Sequence, residues 1–220
     1  MKALLRKIRS FVCKQIYWAV DPGVPIEGKL YGGEGMFLYN AAKSLRRDGV
    51  ILEIGAYSGL STYFLTKGSA WSGASVYSID PFNTKFSEQA ETSAPGDWGC
   101  SYNERKPSKA EVERLLKSHH LNRFELIEGF SYDVVKAWDK PIDILFIDGS
   151  HKYELVKGDL LDWSKFLKSG GLLILHDSNL KCNNIGWDGP SRVAEEMIVG
   201  DSAKWRSVRR LMSITAAVKI

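Results

Sequence analysis

Residues 50–62 read VILEIGAYSGLST, and the fold turns on this stretch. Val50, Ile51, Leu52 and Ile54 make a short apolar run of the kind that forms a strand buried on both faces. Glu53 interrupts the run, and Gly55 and Gly59 then bracket Ala56, Tyr57 and Ser58. Leu60, Tyr63, Phe64 and Leu65 follow at near-helical spacing. The reading is strand, tight glycine turn, helix start. Gly55 lets the chain turn sharply, and Gly59 lets the backbone lie close to a ligand. The free N–H groups of the helix start would face whatever binds there. Ser58 and Ser61 are candidate caps for that helix.

Four more apolar runs follow, at 75–79, 124–127, 142–147 and 172–175. Between them the spacing predicts helices over 108–120, 131–138 and 153–167, with a further one at 189–198. Ser108 and Glu111 form a capping box, Gly170-Gly171 closes the helix before the fifth strand, and Pro190 and Gly200 mark the ends of the last helix. His119 and His120 read as structural residues at a helix C-terminus. Residues 205–220 hold two short apolar stretches, expected to pair antiparallel. Upstream, 35–47 is helical and delivers the chain to the first strand. The loop before it, Tyr31-Gly32-Gly33-Glu34, reads as a plain helix-capping loop or as a flap over a ligand. Five strands alternating with helices predict an α/β fold: a doubly wound, mostly parallel Rossmann-like sheet in a single domain, 27–220. Residues 83–107 make a long polar excursion after the second strand, a kind of loop that is often functional.

Residues 1–26 are expected to be an amphipathic helical extension and a linker. Leu4, Leu5, Ile8, Phe11, Val12 and Ile16 recur at helical spacing, with Lys2, Arg6, Lys7, Arg9 and Lys14 between them. Those charges leave neither a signal-peptide core nor a membrane span. The helix packs on the domain or on a second copy in a homo-oligomer, or 2–18 rest on an anionic membrane surface. The net charge of +4 does not by itself point to nucleic acid. Cys13, Cys100 and Cys182 are odd in number and far apart, without a CxxC pair, so neither zinc nor a disulfide framework is suggested. A cytoplasmic protein, with membrane-peripheral contact as the open alternative, is the expectation.

The polar residues fall at strand ends, where open α/β sheets bind ligands: the glycine turn, Asp80, Ser131, Asp148, His151, His176 and Asp177. Asp80 lies 21 residues after Gly59, about the spacing at which an acid meets a ribose. A carboxylate accepts both hydrogen bonds of a vicinal diol; the plainer reading of Asp80 is a turn cap. The glycine pattern is Glu-x-Gly-x-x-x-Gly rather than Gly-x-Gly-x-x-Gly, which argues against a pyrophosphate and hence against a nicotinamide dinucleotide module. Glu53 adds negative charge there, which favours a cationic ligand such as S-adenosylmethionine.

These residues resemble a known family. The strand with its GLST turn, SIDPF, and IDILFIDGSHKYELVKGDLLDWSKFLKSGGLLILHD look like a class I S-adenosylmethionine-dependent methyltransferase. Asp148-Gly-Ser-His151-x-Tyr153, then Asp159, Trp163, Leu167, Gly170-Gly171 and His176-Asp177, is similar to the small-molecule and sugar O-methyltransferases grouped with macrocin O-methyltransferase and the cephalosporin-biosynthesis enzymes. The resemblance covers residues 30–180. It implies that Glu53, Gly55, Ala56, Tyr57, Ser58 and Gly59, with Asp148 beside them, line the methionine end of the cofactor. It also implies that Asp80 holds the ribose and that Ser131 sits near the adenine. Some relatives bind Mg²⁺ through residues matching Asp148 and an acidic pair after the fifth strand. Asp177 matches the second of that pair, but His176 stands where an acid would be. Imidazole suits Mn²⁺ better than Mg²⁺, so Asp148, Asp177 and His176 are candidate ligands for Mg²⁺, for Mn²⁺ or for no metal.

Methyl transfer to a hydroxyl needs donor and acceptor in line and one proton removed. His151 is the candidate general base, matching a histidine so proposed in a relative; the alternative is a helix-start residue. Asp148, three residues earlier, could orient it, hold a metal or bind the acceptor. His176 could equally be a strand-end residue held by a carbonyl. The resulting expectation is an O-methyltransferase of a sugar or small hydroxylated metabolite. The competing one is a methyltransferase-like fold that binds cofactor or glycan without catalysis.

Overall fold

The structure, a computed structural model, describes residues 26, 28–46, 48–82, 106–179 and 188–220. The expected N-terminal amphipathic helix, nearly all of the 83–107 excursion and all three cysteines lie outside these residues. In chain order the elements are α1 (Glu34–Lys43), β1 (Val50–Ile54), α2 (Leu60–Ser72), β2 (Ser75–Asp80), α3 (Lys109–Ser118) and β3 (Phe124–Glu128). There follow α4 (Ser131–Val134) with a 3-10 turn (Val135–Ala137), β4 (Ile142–Ile147), α5 (Tyr153–Trp163) and β5 (Leu167–Leu175). Then come α6 (Gly189–Val193), which widens into a π-helix (Ala194–Val199), β6 (Trp205–Leu211) and β7 (Ile214–Lys219).

The strands form one seven-stranded sheet in the order β3-β2-β1-β4-β5-β7-β6. The first five run parallel, and β7 is antiparallel to both β5 and β6, as expected for the closing pair. Ile54 pairs with Ile79 of β2 and with Ile147 of β4, so three strands end level and form one edge. Alternation along the strands feeds two cores. Ile51, Ile144 and Phe146 face α1, α2 and α3, whereas Leu52, Ile54, Leu145 and Ile147 face α5 and α6. Among the described residues no helix is long and apolar enough to cross a membrane.

The Ser108–Glu111 box is present: Glu111 Oε2 accepts from the Ser108 N–H at 2.8 Å, and Ser108 Oγ from the Glu111 N–H at 3.4 Å. Two local expectations are corrected. Gly170-Gly171 does not close a helix. α5 stops at Trp163, and the glycines lie inside β5, where Ile142 pairs with Leu167 but Ile144 already pairs with Leu172. The surplus residues form an exposed bulge, which Gly170 permits with φ 80°. Neither Ser58 nor Ser61 caps α2: the cap position is Gly59, with no side-chain cap bond.

Glu53 is also not where its sequence position suggested. It lies on the α2 side of β1, fully buried and absent from the cavity described below. Its Oε2 accepts hydrogen bonds from Thr62 Oγ1 and Ser78 Oγ, both at 2.5 Å. Burial pushes this carboxyl from its ordinary 4.5 up to about 7, against the pull of the Ser61, Ser78 and Thr62 hydroxyls. The sign follows directly. A raised folded-state pKa favours folding most below pH 4.5, and that contribution is lost as pH rises through about 7. The loss is on the order of 3 kcal/mol. Glu53→Gln removes the titration but keeps the shape. Its unfolding free energy should therefore fall less between pH 4.5 and 8.5 than that of the parent. Superimposable pH dependences in denaturant melts would show that Glu53 stays charged and compensated.

Candidate functional site

A cavity of about 650 Å³ opens at the carboxyl edge of β1, β2 and β4. Its floor is the turn after β1, from Gly55 to Ser58, and the turn after β4, from Asp148 to His151. These two turns touch. The Asp148 N–H donates to Ile54 O at 2.8 Å, and a Cβ on Gly55 would stand 2.1 Å from the Asp148 carbonyl oxygen. Gly55 also has φ 97°. Glycine is required there for two independent reasons. Gly59 has a different role from the one expected: it is not on the cavity, and a Cβ there would meet Val112 of α3 at 2.9 Å. Its missing side chain serves helix packing.

Asp80 ends β2 and borders the cavity. Its Oδ2 accepts from the Tyr57 N–H at 2.9 Å and its Oδ1 from the Phe82 N–H at 2.6 Å. Burial raises its pKa, while these two N–H groups pull it down. Tyr57, Phe82 and Asp177 all have positive φ, between 45° and 47°, a backbone cost that the surrounding structure holds in place. Ser131 opens α4, and its hydroxyl donates to Asp159 Oδ1 at 2.5 Å. Phe130, Tyr132, Leu155 and Asp159 line the same end of the cavity as Ser131.

At the other end stand Asp148, His151 and Asp177. His151 Nε2 lies 3.0 Å from Asp177 Oδ2. Behind them is a buried charge cluster. His176 Nε2 lies 3.0 Å from Glu34 Oε2, and its Nδ1 lies 2.8 Å from Asp148 Oδ1 and 3.3 Å from Asp177 Oδ2. Burial pushes the His176 imidazole towards neutrality, but the Asp148 charge and the bonds to Asp148, Asp177 and Glu34 outweigh it and hold its pKa well above the ordinary value. Burial likewise raises Asp177, and its bonds to His151 and His176 reverse the sign, leaving it well below the usual carboxylate range. Glu34 is completed by the Tyr31 N–H, the Ser213 N–H and the Ser213 hydroxyl, each at 2.8 Å. Tyr31 itself lines the cavity, so the loop before α1 both starts a helix and walls the site.

Of the residues expected at a site, Gly55, Ala56, Tyr57, Ser58, Asp80, Ser131, Asp148, His151 and Asp177 meet at this one cavity. Glu53, Gly59 and His176 do not border it. The donor set that could hold a metal ion is Asp148, His151 and Asp177, whose ligand atoms lie within 4.8 Å of one another. His176 is outside that set, and both its ring nitrogens face carboxylates. Sequence reasoning missed Glu34, which reads as an ordinary acid in a first helical turn. It assigned no role to Asp159, although a signal exists: Asp159 sits on the buried stripe of α5 with Val156, Leu160 and Trp163.

The same fold recurs among known proteins. An SAH-bound methyltransferase of Podospora anserina is similar with TM-score 0.63 and 16% identity, over 100% of this chain and 97% of that one. An O-methyltransferase of Bacillus cereus in complex with SAH has TM-score 0.60 and 19% identity, covering 96% and 90%. The O-methyltransferase TomG of Streptomyces achromogenes, involved in tomaymycin synthesis and in complex with SAM, has TM-score 0.60 and 18% identity, covering 87% and 81%. At these identities the likeness is one of fold. A family model described as a methyltransferase domain matches residues 52–178, from the first strand to just past Asp177. That match spans more than half of the sequence and includes both touching turns, so the chain belongs to the methyltransferase-domain family.

Proposed function

We propose that the protein is an S-adenosylmethionine-dependent O-methyltransferase whose acceptor is a hydroxyl of a sugar or small hydroxylated metabolite. The carrying observation is that the β1 turn and Asp80 share one cavity with Asp148, His151 and Asp177. The β1 turn from Gly55 to Ser58, with Asp148, would hold the methionine end. Asp80 keeps lone pairs beyond its two backbone bonds and would accept from both ribose hydroxyls. The SAM- and SAH-bound neighbours support this choice of ligand.

His151 is the proposed base. In the tautomer with Nε2–H on Asp177, Nδ1 would take the acceptor's proton. The acceptor oxygen attacks the methyl carbon in line, the S–C bond breaks, and its electron pair returns to sulfur. Asp177, held ionised by its neighbours, would stabilise the imidazolium. Asp148, His151 and Asp177 also make a fair donor set for Mn²⁺ and a poorer one for Mg²⁺. A bound ion would supply Lewis-acid activation of the acceptor oxygen. The two roles of His151 exclude each other, so they can be separated.

Calorimetry should show binding of SAM and SAH and none of NAD. Asp80→Ala should weaken SAH binding by roughly 1.5–3 kcal/mol, the range for hydrogen bonds to a charged group. An unchanged affinity would take Asp80 out of the site. With an acceptor from a hydroxylated panel, His151→Ala should lower kcat about 10²–10⁴-fold while SAH affinity holds. Methyl transfer that survives exhaustive EDTA keeps His151 as the base. Transfer lost to EDTA and restored by Mn²⁺ would make it a ligand instead.

A further inference from the structure

Asp159 poses a chemical question that packing does not answer. It lies among the apolar residues of α5 and is only 8% exposed. Burying a carboxylate there is costly: its pKa rises to about 6, through burial first and the Asp162 charge in addition. A tether between α4 and α5 would need only one acceptor, and Ser131 uses one, Oδ1. Oδ2 has no hydrogen-bond partner among the described residues, and Asp159 borders the cavity. A carboxylate oxygen accepts and never donates, so its complement is a donor on the ligand.

The surroundings narrow that donor. Phe130 and Tyr132 stack at 5.1 Å with their planes 10° apart, and both line the cavity with Leu155. Tyr132 and Leu155 are 42% and 38% exposed, apolar surface that a flat ring would cover. Phe130, Ser131 and Tyr132 follow β3 at the far side of β2, and Asp159 reaches them from α5, with its Oδ2 3.9 Å from where a Cβ on Gly149 of the β4 turn would stand. A planar group with an amine at its edge, joined to a ribose at Asp80, is what these features fit.

We propose that Asp159, oriented by Ser131, reads the 6-amino group of the cofactor's adenine and so rejects the deaminated analogue. The inference rests on the cavity being the S-adenosylmethionine site. In the analogue, hypoxanthine presents a carbonyl oxygen where adenine presents N–H. Two acceptors would then face each other, and a site built to hydrogen-bond a donor discriminates strongly against its absence.

The test is calorimetry at pH 8, where the carboxylate is ionised, with SAH and S-inosylhomocysteine as paired ligands. The wild-type protein should bind SAH more tightly by roughly tenfold or more. Asp159→Asn keeps an acceptor for Ser131 and offers an amide N–H to the hypoxanthine oxygen, so the ratio should shrink or invert. Equal wild-type affinities, or an unchanged ratio in Asp159→Asn, overturn the inference and leave the cofactor reading standing. Absence of SAH binding overturns the cofactor reading and this inference with it. Where the variant does not fold, equal wild-type affinities still overturn the inference.

Discussion

Gly55 has no side chain, and the closeness of two turns depends on that. The turn after β1 presses on the turn after β4 so tightly that a methyl group between them would overlap the Asp148 carbonyl. The contact is held from both sides, by Gly55 N–H on Ile79 O and Asp148 N–H on Ile54 O, each at 2.8 Å. It brings the Tyr57 amide onto Asp80 and sets Asp148 beside His176. The strand ends are level because β1, β2 and β4 are in register, so one point of contact fixes three sets of polar groups. A parallel sheet buried on both faces leaves such groups nowhere else to go but its carboxyl edge.

The second constraint is electrostatic. Glu34, Asp148 and Asp177 surround His176, and the cluster is largely shut off from water. A buried charge left without its partner typically costs about 3–5 kcal/mol, so the members of such a cluster stand or fall together. This explains why the imidazole is held protonated and Asp177 ionised despite their burial. It also explains why His176 is a poor metal ligand here: a protonated ring nitrogen has no lone pair to give. His176 instead neutralises the acids around it.

Much of this was legible in the sequence. Strand existence followed from runs such as IDILFI, because strands buried on both faces need continuous apolar sequence. The strand-end acids and His151 followed from topology, since loops at one edge must converge. Several readings met a physical demand that the local motif does not show. Glu53 and Gly59 were assigned to the ligand because they sit in the turn motif, but strand alternation points Glu53 under α2 and helix packing claims Gly59. Gly170-Gly171 read as a helix stop because a bulge and a C-cap both ask for positive φ. Glu34 carried little local signal, since beyond the Tyr31 N–H its partners, His176 and Ser213, lie far along the chain.

That last feature bears on how the molecule assembles. Glu34 bonds His176 across 142 residues and Ser213 across 179. Contacts of such long sequence separation must close large loops and form late relative to local ones. During synthesis the parallel strands can pair while the Ser213 turn between β6 and β7 is still unmade. Glu34, already bonded to the Tyr31 N–H, gains its remaining partners on Oε1 only when that turn docks. The turns after β1, β2 and β4 can therefore assemble without the last hairpin, whereas the cluster around His176 is completed only when the Ser213 turn is made.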